Sequence, residues 1–145
     1  MIRITRLTDY GIVLLSRFAG AEQGSVFSAR ELATETGIPL PTASKILKTL
    51  TRAGLLASHR GTQGGYSLSR DPAAISVAAI IEALEGPIAI TECLDTTTDE
   101  CGIEFTCPCR ANWQRINEAV RDALSAIPLS AMNTAFSFPQ ANPEI

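Results

Sequence analysis

No stretch of this 145-residue chain has the roughly 18 consecutive apolar residues that a membrane-spanning helix needs. The apolar run over residues 12–15 is too short for a secretion signal, and Asp9 and Arg17 bracket it. We therefore expect a cytoplasmic protein that contacts no membrane, and structural disulfides are rare in that compartment. The glycine-rich segment 60–65 does not precede a helix and lacks a Lys-Ser/Thr pair, which excludes a nucleotide-phosphate loop.

Acidic residues are scarce in the first half of the chain. Residues 1–70 contain nine Lys/Arg and four Asp/Glu, a formal charge of +5. Residues 71–145 contain three Arg and eleven Asp/Glu, a formal charge of −8, and the two halves give the net charge of −3. A basic amino-terminal half is typical of a protein that presents one face to nucleic-acid phosphates. The alternative is that the charged residues are scattered unevenly along the chain and form no face for nucleic acid.

Capping residues and apolar spacing predict three short helices in the basic half. Thr8 is the expected N-cap of the first helix. Ser28 is the expected cap of a second helix over residues 29–36, with Glu31 completing a capping box. A third helix is expected over residues 41–53, because proline is well tolerated in a first turn.

Two short strands around a glycine-rich tip follow the third helix, at residues 55–59 and 66–69. This pattern predicts a β-hairpin. Together with the three helices it gives a mainly α fold, a winged helix-turn-helix domain over residues 1–75, with the hairpin as its wing.

The third helix has no acidic residue. Its apolar residues recur at the spacing of one buried helix face, at Ala43, Ile46, Leu47 and Leu50. The opposite face has cations and small hydroxyls, at Thr42, Ser44, Lys45, Lys48, Thr49 and Arg52. Such a face is typical of a helix that reads the DNA major groove. A solvated surface helix is the alternative, although that kind of helix normally includes acids.

The tip of the wing has basic and polar residues and no acid. Its glycines would let the backbone approach a phosphate closely, and an arginine there would enter a narrow minor groove. The residues that we expect to contact DNA are Ser28, Thr42, Ser44, Lys45, Lys48, Arg60 and Gln63.

All the cysteines lie in one segment, residues 93–109, which we call the cysteine loop. They are Cys93, Cys101, Cys107 and Cys109. Zinc sites usually have cysteines about two to four residues apart, whereas an iron–sulfur cluster accepts ligands from a more open loop. An iron–sulfur cluster is therefore the first interpretation and zinc the second. His59, the single histidine, is far along the chain and is not an expected ligand.

The charge of the cysteine loop opposes ionisation of its thiols. Its acids are Asp95, Asp99, Glu100 and Glu104. Negative neighbours raise the free energy of a thiolate, so the metal itself must stabilise the deprotonated ligands. We expect the loop to be mobile without metal.

Residues 76–128 are predicted to form a capped helix, the cysteine loop and a long helix over residues 111–127. Apolar residues of the long helix recur at the spacing of a lengthwise seam, at Trp113, Ile116, Val120, Ala123 or Leu124, and Ile127. This seam favours packing against a second copy of the chain, and packing on the helix's own domain is the alternative. Residues 129–145, which include Phe136 and Phe138, are expected to be a flexible tail.

These features resemble the IscR/NsrR family of iron–sulfur-dependent bacterial transcription regulators, within the Rrf2 superfamily. The resembling residues are Arg3-Ile4-Thr5, Thr8-Asp9-Tyr10, Arg60-Gly61, Gly64-Gly65-Tyr66, Cys93, Cys101 and Cys107. Segments 112–117 and 121–124 look most like the branch that regulates the SUF iron–sulfur assembly operon.

The resemblance implies a homodimeric repressor that binds double-stranded operator DNA. It is not an enzyme and has no small-molecule substrate. Each subunit would hold a 2Fe-2S or 4Fe-4S cluster through Cys93, Cys101 and Cys107. Asp9 matches an aspartate that ligates the partner subunit's cluster in the nitric-oxide-sensing branch, and a helix-favouring carboxylate is the alternative role. Arg110 stands where the assembly sensor has a histidine ligand, and Cys109 is a local substitute. The fourth ligand and the cluster type therefore stay open.

Three other functions stay open beside this one. The first is a nitric-oxide-sensing repressor of the same architecture, and the second is a zinc-stabilised DNA-binding protein. The third is a redox enzyme or electron carrier, but the chain lacks a flavin or nicotinamide loop, and the basic helix would be unexplained.

Overall fold

Six α-helices and a two-stranded antiparallel hairpin make up the part of the chain that the computed structural model describes, residues 2–97 and 101–133. In chain order these elements are α1 (Arg6–Ala19), α2 (Ala29–Thr36), α3 (Leu40–Arg52), β1 (Leu56–His59), β2 (Gly65–Leu68), α4 (Val77–Glu85), α5 (Arg110–Ser125) and α6 (Leu129–Asn133). The mainly α winged helix-turn-helix fold is confirmed. Asp99, Glu100, Phe136 and Phe138 lie outside the described residues.

The first three helices pack around one apolar core because each has apolar side chains on one face. α3 buries the four residues that its spacing predicted. They pack with apolar side chains from the neighbouring elements, among them Leu14, Leu15, Phe18, Leu32, Leu56 and Ile80. Full burial of a leucine or isoleucine side chain contributes about 1.5–3 kcal/mol. We call α1–α3 and the hairpin the DNA-binding unit. This core is therefore the main source of stability in that unit.

The start of α1 differs from the prediction. The N-cap is Thr5, whose side-chain oxygen accepts a hydrogen bond from the Thr8 backbone N–H at 3.3 Å. Thr8 lies inside the first turn and is fully buried, so its assignment as N-cap was wrong. Both threonines suit an N-cap, and the packing of the first turn against α4 decides between them. The predicted capping box of Ser28 and Glu31 at α2 is confirmed.

The hairpin pairs Leu56 with Leu68 and His59 with Gly65 at its two ends. Phe27 extends this small sheet through two backbone hydrogen bonds with Tyr66, at 2.8 and 2.9 Å. The segment before α2 therefore fixes the wing to the body of the domain.

The chain returns to the DNA-binding unit after α5. The Val77 N–H donates to the Ile127 carbonyl at 2.9 Å, and the Leu129 N–H donates to the Ile75 carbonyl at 2.7 Å. Leu129 is 0% exposed and belongs to the apolar core. Residues 129–133 form α6 against α1 and so differ from the flexible tail that we expected from residue 129.

The long helix α5 has the predicted position and has no buried residue. Trp113 and Ile116 are 41% and 46% exposed, whereas Val120 and Leu124 are half-buried. The apolar residues of α5 therefore lie on two faces. One faces the body of the same chain, and the other, which we call the open face, is exposed. Within the described residues, no helix is both long and apolar enough to cross a membrane.

Candidate DNA interface and cysteine loop

The predicted reading helix α3 presents its cations on the side away from the core. Lys45, Lys48 and Arg52 are exposed, and Thr42 and Ser44 are half-buried. The helix contains no acid, so none of its own side chains repels a phosphate. Its N-cap residue makes no side-chain hydrogen bond to the first turn, whose backbone N–H groups are the kind of donors that anions prefer.

Ser28 lies at the start of α2 and has a structural role there. Its side-chain oxygen accepts a hydrogen bond from the Glu31 backbone N–H at 3.1 Å, and the Ser28 N–H donates to the Glu31 carboxylate at 2.7 Å. Hydrogen bonds from the Ser28 backbone N–H, the larger cause, and from the Ser28 hydroxyl to the Glu31 carboxylate lower the pKa of Glu31. Because the Ser28 hydroxyl is engaged with the Glu31 carboxylate, Ser28 is a less favourable phosphate site than α3.

The wing places Arg60 and Gln63 in solvent at its tip, as predicted. Two of the adjacent glycines also have a structural role within the domain. A Cβ atom at Gly65 would lie 2.5 Å from the Phe27 carbonyl oxygen, and one at Gly64 would lie 2.4 Å from the His59 carbonyl oxygen. These glycines are therefore required by close packing within the domain. His59 contacts the Ser67 hydroxyl at 2.8 Å, within the hairpin.

A shallow groove separates α3 from the wing. Its lining residues are Lys48, Thr51, Arg52, Ser58 and Tyr66. Of these residues only Lys48 was among the predicted DNA contacts. Ser58 and Tyr66 lie on different strands and share no helical spacing with α3, so no local pattern indicated them. Packing of α3 against the hairpin brings them together.

The cysteine loop has four free thiols. Cys93 lies in a single turn of 3-10 helix, and its sulfur is 3.3 Å from the Thr91 hydroxyl. Cys101 and Cys107 are also half-buried, whereas Cys109 is exposed at the N-cap of α5. Arg110, at the first position of that helix, makes an ion pair with Glu104 at 2.6 Å. This pair spans the segment that contains Cys107 and Cys109.

The donor chemistry of the loop fits an iron–sulfur cluster, since such clusters are held by cysteine thiolates. Among residues 2–97 and 101–133, however, no three histidine, cysteine, aspartate or glutamate side chains are grouped so that they could hold a metal ion. Asp9 is exposed on the first turn of α1, beside Arg6 and Ile12, and is not grouped with the cysteines of the same chain. Cluster binding would therefore have to bring the thiols together.

Two sets of polar contacts join residues that are distant in the sequence, and no local pattern of residues predicts either of them. Asn117 of α5 accepts from the Ile90 N–H and donates to the Ile88 carbonyl, both at 2.9 Å. These bonds hold the segment that leads to Cys93 against α5.

The second contact lies at the start of α1. The backbone N–H and the hydroxyl of Thr5 both lie 2.9 Å from one carboxylate oxygen of Glu85, the last residue of α4. Partial burial acts to raise the pKa of Glu85, but hydrogen bonds from Thr8 and Thr5 outweigh it, so the pKa is lower than usual. We call Thr5, Thr8 and Glu85 together the Glu85 clasp.

The sequence matches the model of the Rrf2 family, described as iron-dependent transcriptional regulators, over residues 4–134. The chain belongs to the Rrf2 family. An rrf2-like regulator of Rhodobacter capsulatus is 32% identical over 114 residues, which cover 74% of this chain and 76% of that protein. The regulator CymR of Bacillus subtilis is 30% identical over 128 residues, 88% of this chain and 87% of that protein.

Solved structures of Rrf2 regulators have the same fold. The B. subtilis CymR structure, that of a global cysteine regulator, covers 94% of this chain and 99% of its own with a TM-score of 0.73 at 30% identity. The structure of T. potens IscR covers 92% of this chain and 88% of its own with a TM-score of 0.68 at 23% identity, and supports the fold alone. These Rrf2 relatives are regulators and not enzymes, and this chain is accordingly a DNA-binding transcriptional regulator.

Proposed function

We propose that this Rrf2 protein is a cytoplasmic, homodimeric repressor of SUF iron–sulfur assembly genes, and that its operator affinity depends on an iron–sulfur cluster. The observation that carries the proposal is the confinement of four free thiols to one loop between α4 and α5. The match to a family of iron-dependent regulators supports the same function.

Cys93, Cys101 and Cys107 would hold the cluster, and either Cys109 or the partner subunit's Asp9 would complete its ligands. When bound, the cluster supplies a group whose presence reports the cell's supply of iron and sulfur. The half-buried state of the three cysteines supports their choice over the exposed Cys109, because a cluster is better protected away from solvent.

The position of the thiols next to α5 would allow cluster binding to influence the DNA-binding unit. Cys107 precedes α5 by three residues, so drawing it toward Cys93 changes the direction in which α5 leaves the loop. The open face of α5, with Trp113 and Ile116, and the exposed Ile127 just after the helix are where we place the second copy of the chain. A change in α5 then alters the spacing of the two reading helices, on which operator affinity depends.

In the DNA complex, α3 would lie in the major groove and the tip of the wing in the minor groove. The contacting residues would be Ser28, Thr42, Ser44, Lys45, Lys48, Arg60 and Gln63. Counterions are released at each neutralised phosphate, so affinity would fall steeply as salt rises.

Anaerobic purification, metal analysis and a DNA shift assay with DNA from upstream of the host's SUF operon test this function. We expect a coloured protein that contains iron, and an operator affinity that changes when the cluster is removed. Cys93→Ser should abolish the colour while the protein remains a dimer. Comparison of Cys109→Ser with Asp9→Ala identifies the fourth ligand, since only one of them should alter the visible spectrum. Colourless protein with stoichiometric zinc would contradict the proposal.

The 30% identity to CymR favours a second candidate, a regulator of cysteine metabolism that needs no cluster. Under that function the protein would bind DNA equally well with and without iron, and Cys93→Ser would leave its affinity unchanged. A nitric-oxide-sensing repressor would instead contain iron and release DNA on exposure to nitric oxide at constant iron supply.

A further inference from the structure

We propose that the groove between α3 and the wing binds one phosphate of the DNA backbone through Arg52, Ser58 and Tyr66, with Lys48 at its edge. The proposal rests on DNA binding through α3 and the wing. It assigns a site to Ser58 and Tyr66, two residues outside the predicted contacts.

The geometry of DNA brings a backbone strand to this groove. In B-DNA a sugar–phosphate strand separates the major groove from the adjacent minor groove. When α3 occupies the major groove and the tip of the wing occupies the neighbouring minor groove, that strand has to cross the space between the two elements. The groove lined by Lys48, Arg52, Ser58 and Tyr66 is that space.

The register of the hairpin directs the two hydroxyls to one face. Ser58 and Tyr66 are directly paired across β1 and β2, and side chains of such a pair lie on the same face. Every second strand residue lies on one face, so this face is also that of Leu56 and Leu68, which pack against the core. It is the side of the hairpin turned toward α3, and Ser58 and Tyr66 lie further along it, where they line the groove.

The chemistry of the groove suits an anion. It contains one guanidinium, one ammonium and three hydroxyls, and none of its lining residues is an acid. Arginine is the cation that matches a phosphate best, since its planar fork donates two parallel hydrogen bonds. Arg52 makes a long contact of 3.4 Å to the Thr49 hydroxyl, which leaves its other N–H groups to donate elsewhere. In the described part of the chain, the hydroxyls of Ser58 and Tyr66 have no hydrogen-bond partner.

The site is held in place before DNA arrives. Tyr66 is fixed by its two backbone hydrogen bonds to Phe27, and the close approach at Gly65 leaves no room for the strands to shift. Arg52 projects from the last turn of α3, a helix whose opposite face lies in the core. Binding therefore orders few groups, and preorganised donors lose less entropy on binding than mobile ones.

Fluorescence anisotropy with several unrelated DNA duplexes tests the assignment, because a backbone contact is independent of base sequence. Tyr66→Phe removes a single hydroxyl and should weaken binding about three- to tenfold on every duplex. Arg52→Gln should reduce the slope of log affinity against log salt by about one, the value for one lost phosphate contact. Ser58→Ala should act in the same direction as Tyr66→Phe and to a smaller extent.

Arg70→Gln is the matched control, since it removes the same charge from an exposed arginine outside the groove. It should keep the salt slope of the unmodified protein. Equal slopes for Arg52→Gln and Arg70→Gln, or unchanged affinity of Tyr66→Phe, would refute the phosphate site. A loss confined to one duplex sequence would identify base reading instead. If the unmodified protein bound no duplex at low salt, DNA binding itself would fail, and the site with it.

Discussion

The DNA-binding unit and helix α5 are both built from amphipathic helices, but only the first buries its apolar face within one chain. α3 buries four residues and α1 buries six, whereas the 16-residue α5 buries none. Isolated helices are marginal in water, and tertiary packing of an apolar face usually stabilises them. This difference supports the proposed dimer, in which a second copy of the chain would cover the open face of α5.

Replacement of one core residue and one α5 residue should give the largest contrast. Leu47→Ala leaves a cavity in the core and should lower the free energy of unfolding by about 2–5 kcal/mol, as measured by chemical denaturation. Ile116→Ala, on the open face of α5, should change it by roughly 0.5 kcal/mol or less at a concentration where the protein is monomeric.

The same Ile116→Ala variant should weaken self-association, which sedimentation measures. A chain that dimerises through α5 has a stability that depends on its concentration, and this variant should reduce that dependence. If Ile116→Ala instead destabilised the monomer as much as Leu47→Ala, the face that we describe as open would be part of the core.

Replacement of Asn117 tests whether its hydrogen bonds hold the segment that leads to the cysteine loop against α5. Asn117→Ala leaves the Ile88 carbonyl and the Ile90 N–H without their partner, which should cost about 1–3 kcal/mol if both become buried and unsatisfied. Hydrogen exchange should be faster at the Ile90 amide. Gln114→Ala, on the same helix, removes only a 3.3 Å surface contact and serves as the control. Unchanged exchange at Ile90 would mean that this contact does not hold the loop.

The Glu85 clasp should give the smallest effect, below ~1 kcal/mol, because solvent screens this exposed carboxylate. Its pKa is lower in the folded state than in the unfolded state. The stabilisation is therefore present above the unfolded-state pKa and is lost as the pH falls through the folded-state pKa. Denaturation over the acidic range should show a flatter pH dependence for Glu85→Gln. A steep pH dependence that Glu85→Gln leaves unaltered would assign the effect to other carboxylates.

Local patterns in the sequence predicted most of the fold. The stripe on α3 and the capping box of Ser28 and Glu31 depend on residues a few positions apart, and both are present as expected. Contacts between residues that are distant in the sequence could not be predicted from such local patterns. Thr5 meets Glu85 across 80 positions, and this contact belongs to the packing that made Thr5 the N-cap in place of Thr8.

The site was predictable to different extents in its two parts. The basic face of α3 and the tip of the wing could be predicted because charge and exposure go together on a single element. Tyr66 could not, since its place in the groove depends on strand register and on the bridge to Phe27. The cysteines are candidate ligands by residue type, but their spacing alone does not determine which of them meet in space.

Backbone hydrogen bonds between Ile75 and Leu129 and between Val77 and Ile127 bring together the two ends of the segment that contains α4, the cysteine loop and α5. Both ends of this segment therefore lie beside the core, and Leu129 is itself buried in the core. A fragment that stops before α6 would lack Leu129 and leave a hole under α1, so we expect residues 1–75 alone to be less stable than the whole chain.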